Sequence, residues 1–346
     1  MAEILGLGIT HYPPLAGPDA NMARIVHRVM ASPRTPPALR DPSGWPAAMR
    51  AEWDANADFS GAAAHRARLV AGFAQVRRAL DDFAPDFLLI FGDDQYENFR
   101  EDGVPSFCVF ALDQITTPPH PNNVWNEGKD KILRTRGHAE AGRYLAKALL
   151  EEGFDTSYAY TMRYEHGLPH AFANALLYLD YDRRGMDYPV VPFHVNCYGS
   201  STLAKRGAFA HLDGTGSDIP DPPGPSPARC FDIGAATARA LRASPWRVAM
   251  IASSSWSHAF LVGKHHYLYP DVAADRARYE ELRDGQLSRW RALTTAAIED
   301  AGQQELLNWV CLAGAMEELG RKPVWSEFVE TRIFNSSKCF AVFEAG

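Results

Sequence analysis

Short apolar runs alternate along this chain with stretches of helical periodicity, and that alternation narrows the fold more than any other feature. Residues 4–8 form an apolar run that stops at Thr10-His11-Tyr12-Pro13-Pro14, where two prolines impose a loop. An alanine-rich helical pattern over 61–83 leads through Ala84-Pro85 into a strand pattern at 86–91. The same alternation predicts helices at 138–152, 169–179 and 231–243, each followed by a strand, at 156–160, 189–195 and 247–252. Such a rhythm predicts an α/β fold: a single domain over residues 1–346, with a mostly parallel central sheet and helices on both faces. Residues 200–227 are rich in Gly, Pro, Ser and Asp and cannot form a regular element; 31–46 is a second proline-rich excursion, and both read as lids. The helical stretch 284–319 reads as a layer of its own within that domain.

In open parallel sheets, ligands collect where loops converge at the carboxyl ends of the strands. Polar motifs fall at those positions here. His11 follows the first strand, Asp93-Asp94-Gln95 follows the apolar run 87–91, and Tyr164-Glu165-His166-Gly167 lies between a strand and a helix. His194-Val195-Asn196 ends another strand, and Ser253-Ser254-Ser255-Trp256-Ser257-His258 closes the last. A single histidine in such a place equally well caps a helix or satisfies a loop carbonyl. It is the joint placement of His11, His166, His194 and His258 at strand ends that points to one active site, because no H-E-x-x-H spacing ties two ligands together.

Charge and composition exclude several partners. The net charge is −7 with no long basic run, so no phosphate-tracking surface and no nucleic-acid partner is expected. The start MAEILGLGIT lacks a basic segment followed by an apolar one, and no stretch approaches the roughly 20 residues needed to span a bilayer. A soluble, cytoplasmic protein without a membrane partner is expected. Cys108, Cys197, Cys230, Cys311 and Cys339 show no C-x-x-C spacing and read as reduced thiols.

Taken together, GITHYPP around His11, Glu165-His166-Gly167-Leu168, the run Ser226 to Phe231 opening a helix, and Ser257-His258 resemble the class III extradiol ring-cleavage dioxygenases, the group of the protocatechuate 4,5-dioxygenase catalytic subunit. The resemblance covers nearly all of the chain. It implies that His11 binds iron and that His166 is an acid–base residue beside the metal. Gln95 stands where the group has its second histidine ligand, and Ala273, in Tyr269-Pro270-Asp271-Val272-Ala273-Ala274-Asp275, where it has its glutamate. Both departures change the donor chemistry, since an amide oxygen is a weak neutral donor and alanine donates nothing.

Ring cleavage calls for ferrous iron with two histidines and a carboxylate on one face, and for a histidine that moves protons to and from the substrate hydroxyls. Three readings follow. In the first, an extradiol-type dioxygenase uses Fe(II), O2 and a small catechol-like or aminophenol-like aromatic. Its metal is then held by His11 with Asp94, Gln95 and Asp275, or with Asp93 or Asp271, and His166, His194 and His258 are catalytic. In the second, His11, His166 and His258 hold zinc for hydrolysis. In the third, no metal is present and His166 or His194 acts as base, oriented by Asp94 or Glu97. Arg229 reads as a fork for a substrate carboxylate or as a structural ion pair, and Trp256 and Phe99 as aromatic contacts for the ring. Trp309, in an apolar helix with Glu305 and Asn308, reads as core, and Lys264-His265-His266 as surface. A homodimer is expected.

Overall fold

The computed structural model describes residues 2–117, 120, 123–128, 130–162, 167–199 and 222–345. Among them the strands are β1 (Ile4–Ile9), β2 (Phe87–Gly92), β3 (Phe107–Phe110), β4 (Gln114–Thr117), β5 (Leu133–Arg136), β6 (Ser157–Ala159), β7 (Val190–Val195), β8 (Val248–Ser253), β9 (Pro323–Val329) and β10 (Lys338–Phe343). The helices are α1 (Arg24–Ala31), α2 (Ala47–Asp54), α3 (Ser60–Phe83), α4 (Ala139–Glu151), α5 (His170–Leu179), α6 (Pro227–Arg242), α7 (Val272–Arg283), α8 (Ser288–Arg291), α9 (Thr295–Asp300) and α10 (Leu306–Glu318).

Eight strands form one sheet in the order β6-β3-β7-β2-β8-β1-β10-β9. Its centre, β7-β2-β8-β1, is parallel throughout, whereas β3 runs antiparallel to β7 and the pair β10-β9 closes the other side antiparallel. These four central strands are buried along their whole length. A strand covered on both faces cannot alternate apolar with polar, and so reads as a continuous apolar run. Alternation survives only in which face each residue serves. Leu88 and Ile90 join Phe73, Leu80 and Phe172 of α3 and α5 in one core. Leu89 and Phe91 join Leu145, Ile233 and Val310 of α4, α6 and α10 in the other.

The expected α/β architecture is therefore present, with three differences of detail. First, α6 begins at Pro227, inside the stretch expected to be irregular. Ser226 caps it by accepting the Arg229 backbone N–H at 3.2 Å, and a proline in the first turn has no N–H to leave unsatisfied. Residues 200–221, the rest of that expected lid, lie outside the described residues. Second, the stretch 284–319 is not a separate layer, because α10 packs on α6 and on β8, β1 and β2. Third, β9 and β10 extend the sheet beyond β1. Among the described residues no helix is long and apolar enough to cross a membrane, and all five cysteines are buried and unpaired.

The contact between α6 and α10 has no room for side chains at two places. A Cβ on Gly314 would lie 1.9 Å from the Phe231 carbonyl oxygen, and one on Gly234 would lie 1.8 Å from that of Cys311. Backbone meets backbone there, which sets the height of α10 and of Glu305 just ahead of it. In an exposed helix Gly→Ala is favourable by about 1 kcal/mol. Gly314→Ala is expected to do the opposite, lowering unfolding free energy by about 1–3 kcal/mol because the helices must separate. A urea midpoint that falls with an unchanged slope would show it.

Candidate active site

Loops at the carboxyl ends of β1, β2 and β8 converge with the start of α10. His11 lies two residues past β1, Asp93 directly past β2, and His258 in the segment after β8. Glu305 stands immediately ahead of α10. All four side chains are buried.

The hydrogen bonds on the far side of each imidazole decide what faces the centre. His11 Nδ1–H donates to the Ser253 carbonyl at 2.8 Å, and His258 Nδ1–H donates to the Trp256 carbonyl at 2.9 Å. A carbonyl oxygen only accepts, so in each neutral ring the hydrogen sits on Nδ1 and Nε2 presents a lone pair. Those Nε2 atoms lie 3.3 Å and 3.5 Å from one oxygen, Glu305 Oε2, which accepts no hydrogen bond. Two lone pairs facing a buried carboxylate oxygen repel it unless a positive charge, a proton or a cation, lies among them.

The other oxygen of Glu305 is fully engaged. Oε1 accepts from Tyr198 Oη–H and from Gln95 Nε2–H, the latter at 3.0 Å. Gln95 Nε2 also lies 3.3 Å from Asp93 Oδ2 and 3.1 Å from Tyr198 Oη. Asp93 Oδ1 accepts from Asn308 Nδ2 at 3.1 Å. One ligand atom from each of His11, Asp93 and Glu305 lies within 4.8 Å of the others, so the three could hold a metal ion.

Titration follows from this crowding. Burial pushes Glu305 up, but the imidazoles of His258 and His11 bring it down to about 2. Burial and then the charge of Glu305 push Asp93 up to about 7. Burial lowers His11, but Glu305 and Asp93 outweigh it and leave it raised. For His258 burial wins and the ring is held below its ordinary value.

His170, the first residue of α5, was not among the residues expected at the site. Its Nδ1 is 3.0 Å from both Glu97 oxygens, its backbone N–H donates to Glu97 Oε1 at 3.1 Å, and its ring stands edge-on to His11 at 5.0 Å. Burial lowers it, but Glu97, Asp93 and Glu305 together raise it to about 10, so it is an imidazolium at neutral pH. His11, Gln95, His170, His258 and Glu305 form the polar side of a cleft of about 440 Å³ that is open to solvent, and Tyr12, Ile25, Phe260 and Asn335 form another part of its lining.

Of the residues singled out in the sequence, His11, Gln95 and His258 come together, and His166 lies outside the described residues. The zinc arrangement of three histidines can be placed only for His11 and His258, which share the carboxylate of Glu305. Asp94 does not join the cluster: its two oxygens accept the Glu97 and Asn98 backbone N–H groups at 2.8 Å each and close the turn after β2. Asp275 is a strut rather than a member of the cluster. Its Oδ1 accepts Ser257 N–H at 3.0 Å and Gln303 Nε2–H at 2.7 Å, bracing the segments that carry His258 and Glu305. Ala273 is exposed on α7 and away from the cluster, whose carboxylates are those of Asp93 and Glu305. His194 is buried against Phe99, ring centroids 4.6 Å apart, and burial pushes it down to about 3; neither residue lines the cleft. Trp256 is core, packed on Trp290 and Trp309. Arg229 is exposed and lies over the Phe154 ring.

No family model matches the chain. It is 29% identical over 272 residues to a Paraburkholderia phymatum protein named 2,3-dihydroxyphenylpropionate/2,3-dihydroxicinnamic acid 1,2-dioxygenase, covering 70% of this chain and 79% of that one. Proteins of the same name from Paraburkholderia xenovorans and Burkholderia vietnamiensis are 27% identical over 272 residues and 28% identical over 279. Those matches cover 71% and 73% of this chain and 80% and 83% of theirs.

The raised titration of Asp93 has a thermodynamic consequence for the metal-free protein. Between the ordinary carboxylate value and about 7, the folded chain keeps a proton on Asp93 that the unfolded chain has released. The folded state then binds more protons, and stability falls as pH rises through that window. Asp93→Asn removes this contribution. Its unfolding free energy is expected to fall less than that of the wild type between about pH 4 and pH 7, as measured by urea denaturation in chelator.

Proposed function

We propose that this chain is an iron-dependent extradiol-type dioxygenase that opens the ring of a catechol-like aromatic, with O2 as co-substrate. The observation that carries the reading is Glu305 Oε2: a buried carboxylate oxygen without a hydrogen-bond partner among the described residues, faced by two Nε2 atoms of rings that each turn Nδ1–H to a backbone carbonyl. His11 Nε2, Glu305 Oε2 and a carboxylate oxygen of Asp93 would hold the ferrous ion. This donor set has one histidine and two carboxylates, with the amide of Gln95 beside it. When bound, ferrous iron supplies the dioxygen chemistry that protein side chains lack.

The chain's own residues supply the rest. Tyr198 and Gln95 bind Glu305 Oε1 and so fix the carboxylate with Oε2 turned toward the centre. His258 is kept neutral by burial and keeps its hydrogen on Nδ1, leaving Nε2 to take a proton from a substrate hydroxyl. His170, charged by its contact with Glu97, favours a deprotonated, anionic ring oxygen in the cleft. Ile25 and Phe260 give an apolar surface for the ring. His166 keeps the acid–base role implied by the resemblance. The dioxygenases matched above support the reaction class, and their named substrate, 2,3-dihydroxyphenylpropionate, is the first compound to test. A cytoplasmic homodimer is the proposed setting.

Purified protein reconstituted anaerobically with ferrous iron should consume O2 with 2,3-dihydroxyphenylpropionate and form a yellow ring-opened product. Glu305→Gln and His11→Ala are expected to lose bound iron and at least about 100-fold in turnover with circular dichroism unchanged. Gln95→His, which offers an imidazole in place of an amide, is expected to tighten iron binding. Undiminished ring cleavage by metal-stripped protein would overturn the reading.

A further inference from the structure

Asn335 faces the cleft from the turn before β10, and nothing in the account so far uses it. Its side chain is 4% exposed, and its Oδ1 is buried without a hydrogen-bond partner. A buried amide oxygen left unpaired costs about 1–3 kcal/mol. Its backbone is unusual as well. With φ at +65° it occupies the left-handed region, and the Ser336 N–H donates to the Phe334 carbonyl at 2.8 Å, closing a three-residue turn around it. Asn tolerates that region better than most residues, but the region alone does not require its amide to be buried beside a polar cleft.

Lys338 holds the turn in place. It is fully buried, and its Nζ–H groups donate to the Phe334 carbonyl at 2.7 Å and the Ser336 carbonyl at 2.6 Å, one on each side of Asn335. It also lies 3.7 Å from the centre of the Tyr12 ring, which lines the same cleft. On the outer side the Asn335 carbonyl accepts the Ala259 N–H at 2.7 Å, and Ser336 bridges His258, so the turn is tied to the segment that carries His258. A residue at positive φ, clamped from both sides, that lines a cleft and carries a buried amide oxygen without a partner among the described residues is arranged for a ligand.

We propose that Asn335 is a substrate-recognition residue, its amide oxygen accepting a hydrogen bond from a hydroxyl of the bound aromatic ring, and that Lys338 is the residue that positions it. The inference rests on the cleft being the substrate site of the proposed ring-cleaving reaction. Bound substrate would satisfy a buried amide oxygen that has no partner among the described residues, and a ring without that hydroxyl would leave it unpaired. The predicted class is therefore a hydroxylated ring.

The test is equilibrium binding to the full chain under anaerobic conditions, where no turnover occurs. The ligands are 2,3-dihydroxyphenylpropionate, its two monohydroxy analogues and 3-phenylpropionate. Asn335→Ala is expected to weaken the diol and one monohydroxy analogue by about 3- to 10-fold and to leave 3-phenylpropionate unchanged. Lys338→Met is expected to cause the same selective loss, with no further loss of selectivity in the double variant; Lys338→Gln, which keeps an N–H donor, is expected to recover part of it. Should Lys338→Met fail to fold, Lys338→Gln carries that arm, with a selective loss smaller than that of Asn335→Ala expected. Equal weakening of all four ligands by Asn335→Ala, or none, would overturn the proposal while leaving the substrate reading intact. Folded wild-type protein that binds none of the four would overturn both.

Discussion

A buried carboxylate beside two imidazoles is the constraint around which this molecule is organised. Glu305 enters from the start of α10, His11 from the end of β1 and His258 from the segment after β8. The Glu305 carboxylate is not tolerable alone at that depth, because an isolated buried charge costs several kcal/mol. Much of the surrounding architecture makes the group tolerable. Carbonyls of Ser253 and Trp256 set the ring tautomers, while Tyr198 and Gln95 bind the outer carboxylate oxygen. Asp275 ties Ser257 to Gln303 beneath. Apart from the local His258–Trp256 bond, these bonds cross between segments distant in the chain, so the site and the tertiary structure stand or fall together.

That arrangement also separates two kinds of histidine. His170 has a carboxylate of its own in Glu97 and is driven to the charged form, whereas His258 shares Glu305 with His11 and is driven to the neutral form. Two groups of one type, poised in opposite protonation states across one cleft, are what proton movement to and from a bound hydroxyl requires. The difference arises from which acid each ring meets and from exposure: the His170 side chain is 26% exposed and has Glu97 to itself, while that of His258 is 7% exposed and shares Glu305.

The central strands could be read in the sequence because a parallel strand covered on both faces is apolar from end to end, as at 87–91. β9 could not, since Pro323–Val329 lies at the sheet edge, half exposed, and mixes polar with apolar residues. At the site, His11 and Gln95 were legible as residues following strands. The choice between Asp93 and Asp94 was not: neighbouring residues leave a strand on opposite sides, and only the turn that Asp94 closes shows which one faces inward. His170 was hidden at the front of an otherwise apolar helix. Glu305 had one faint mark, an acid at the front of an apolar helix with Asn308 three residues on, on the same face.

The glycine contact between α6 and α10 bears on how sites of this kind are compared between chains. Because Gly234 and Gly314 let the two backbones touch, the position of Glu305 in space is set by α6 and not by the length of chain leading up to it. The segment from α7 to α9 can then lengthen or shorten in the course of divergence without carrying the acid away from the histidines. Counting residues from the Ser257-His258 pair arrives at Ala273, on the outer face of α7, while the acid that meets the histidines, Glu305, comes after α9. For an element registered by a helix crossing, homology of position has to be sought in the crossing residues, and an insertion ahead of it carries no information about whether the chemistry has been lost.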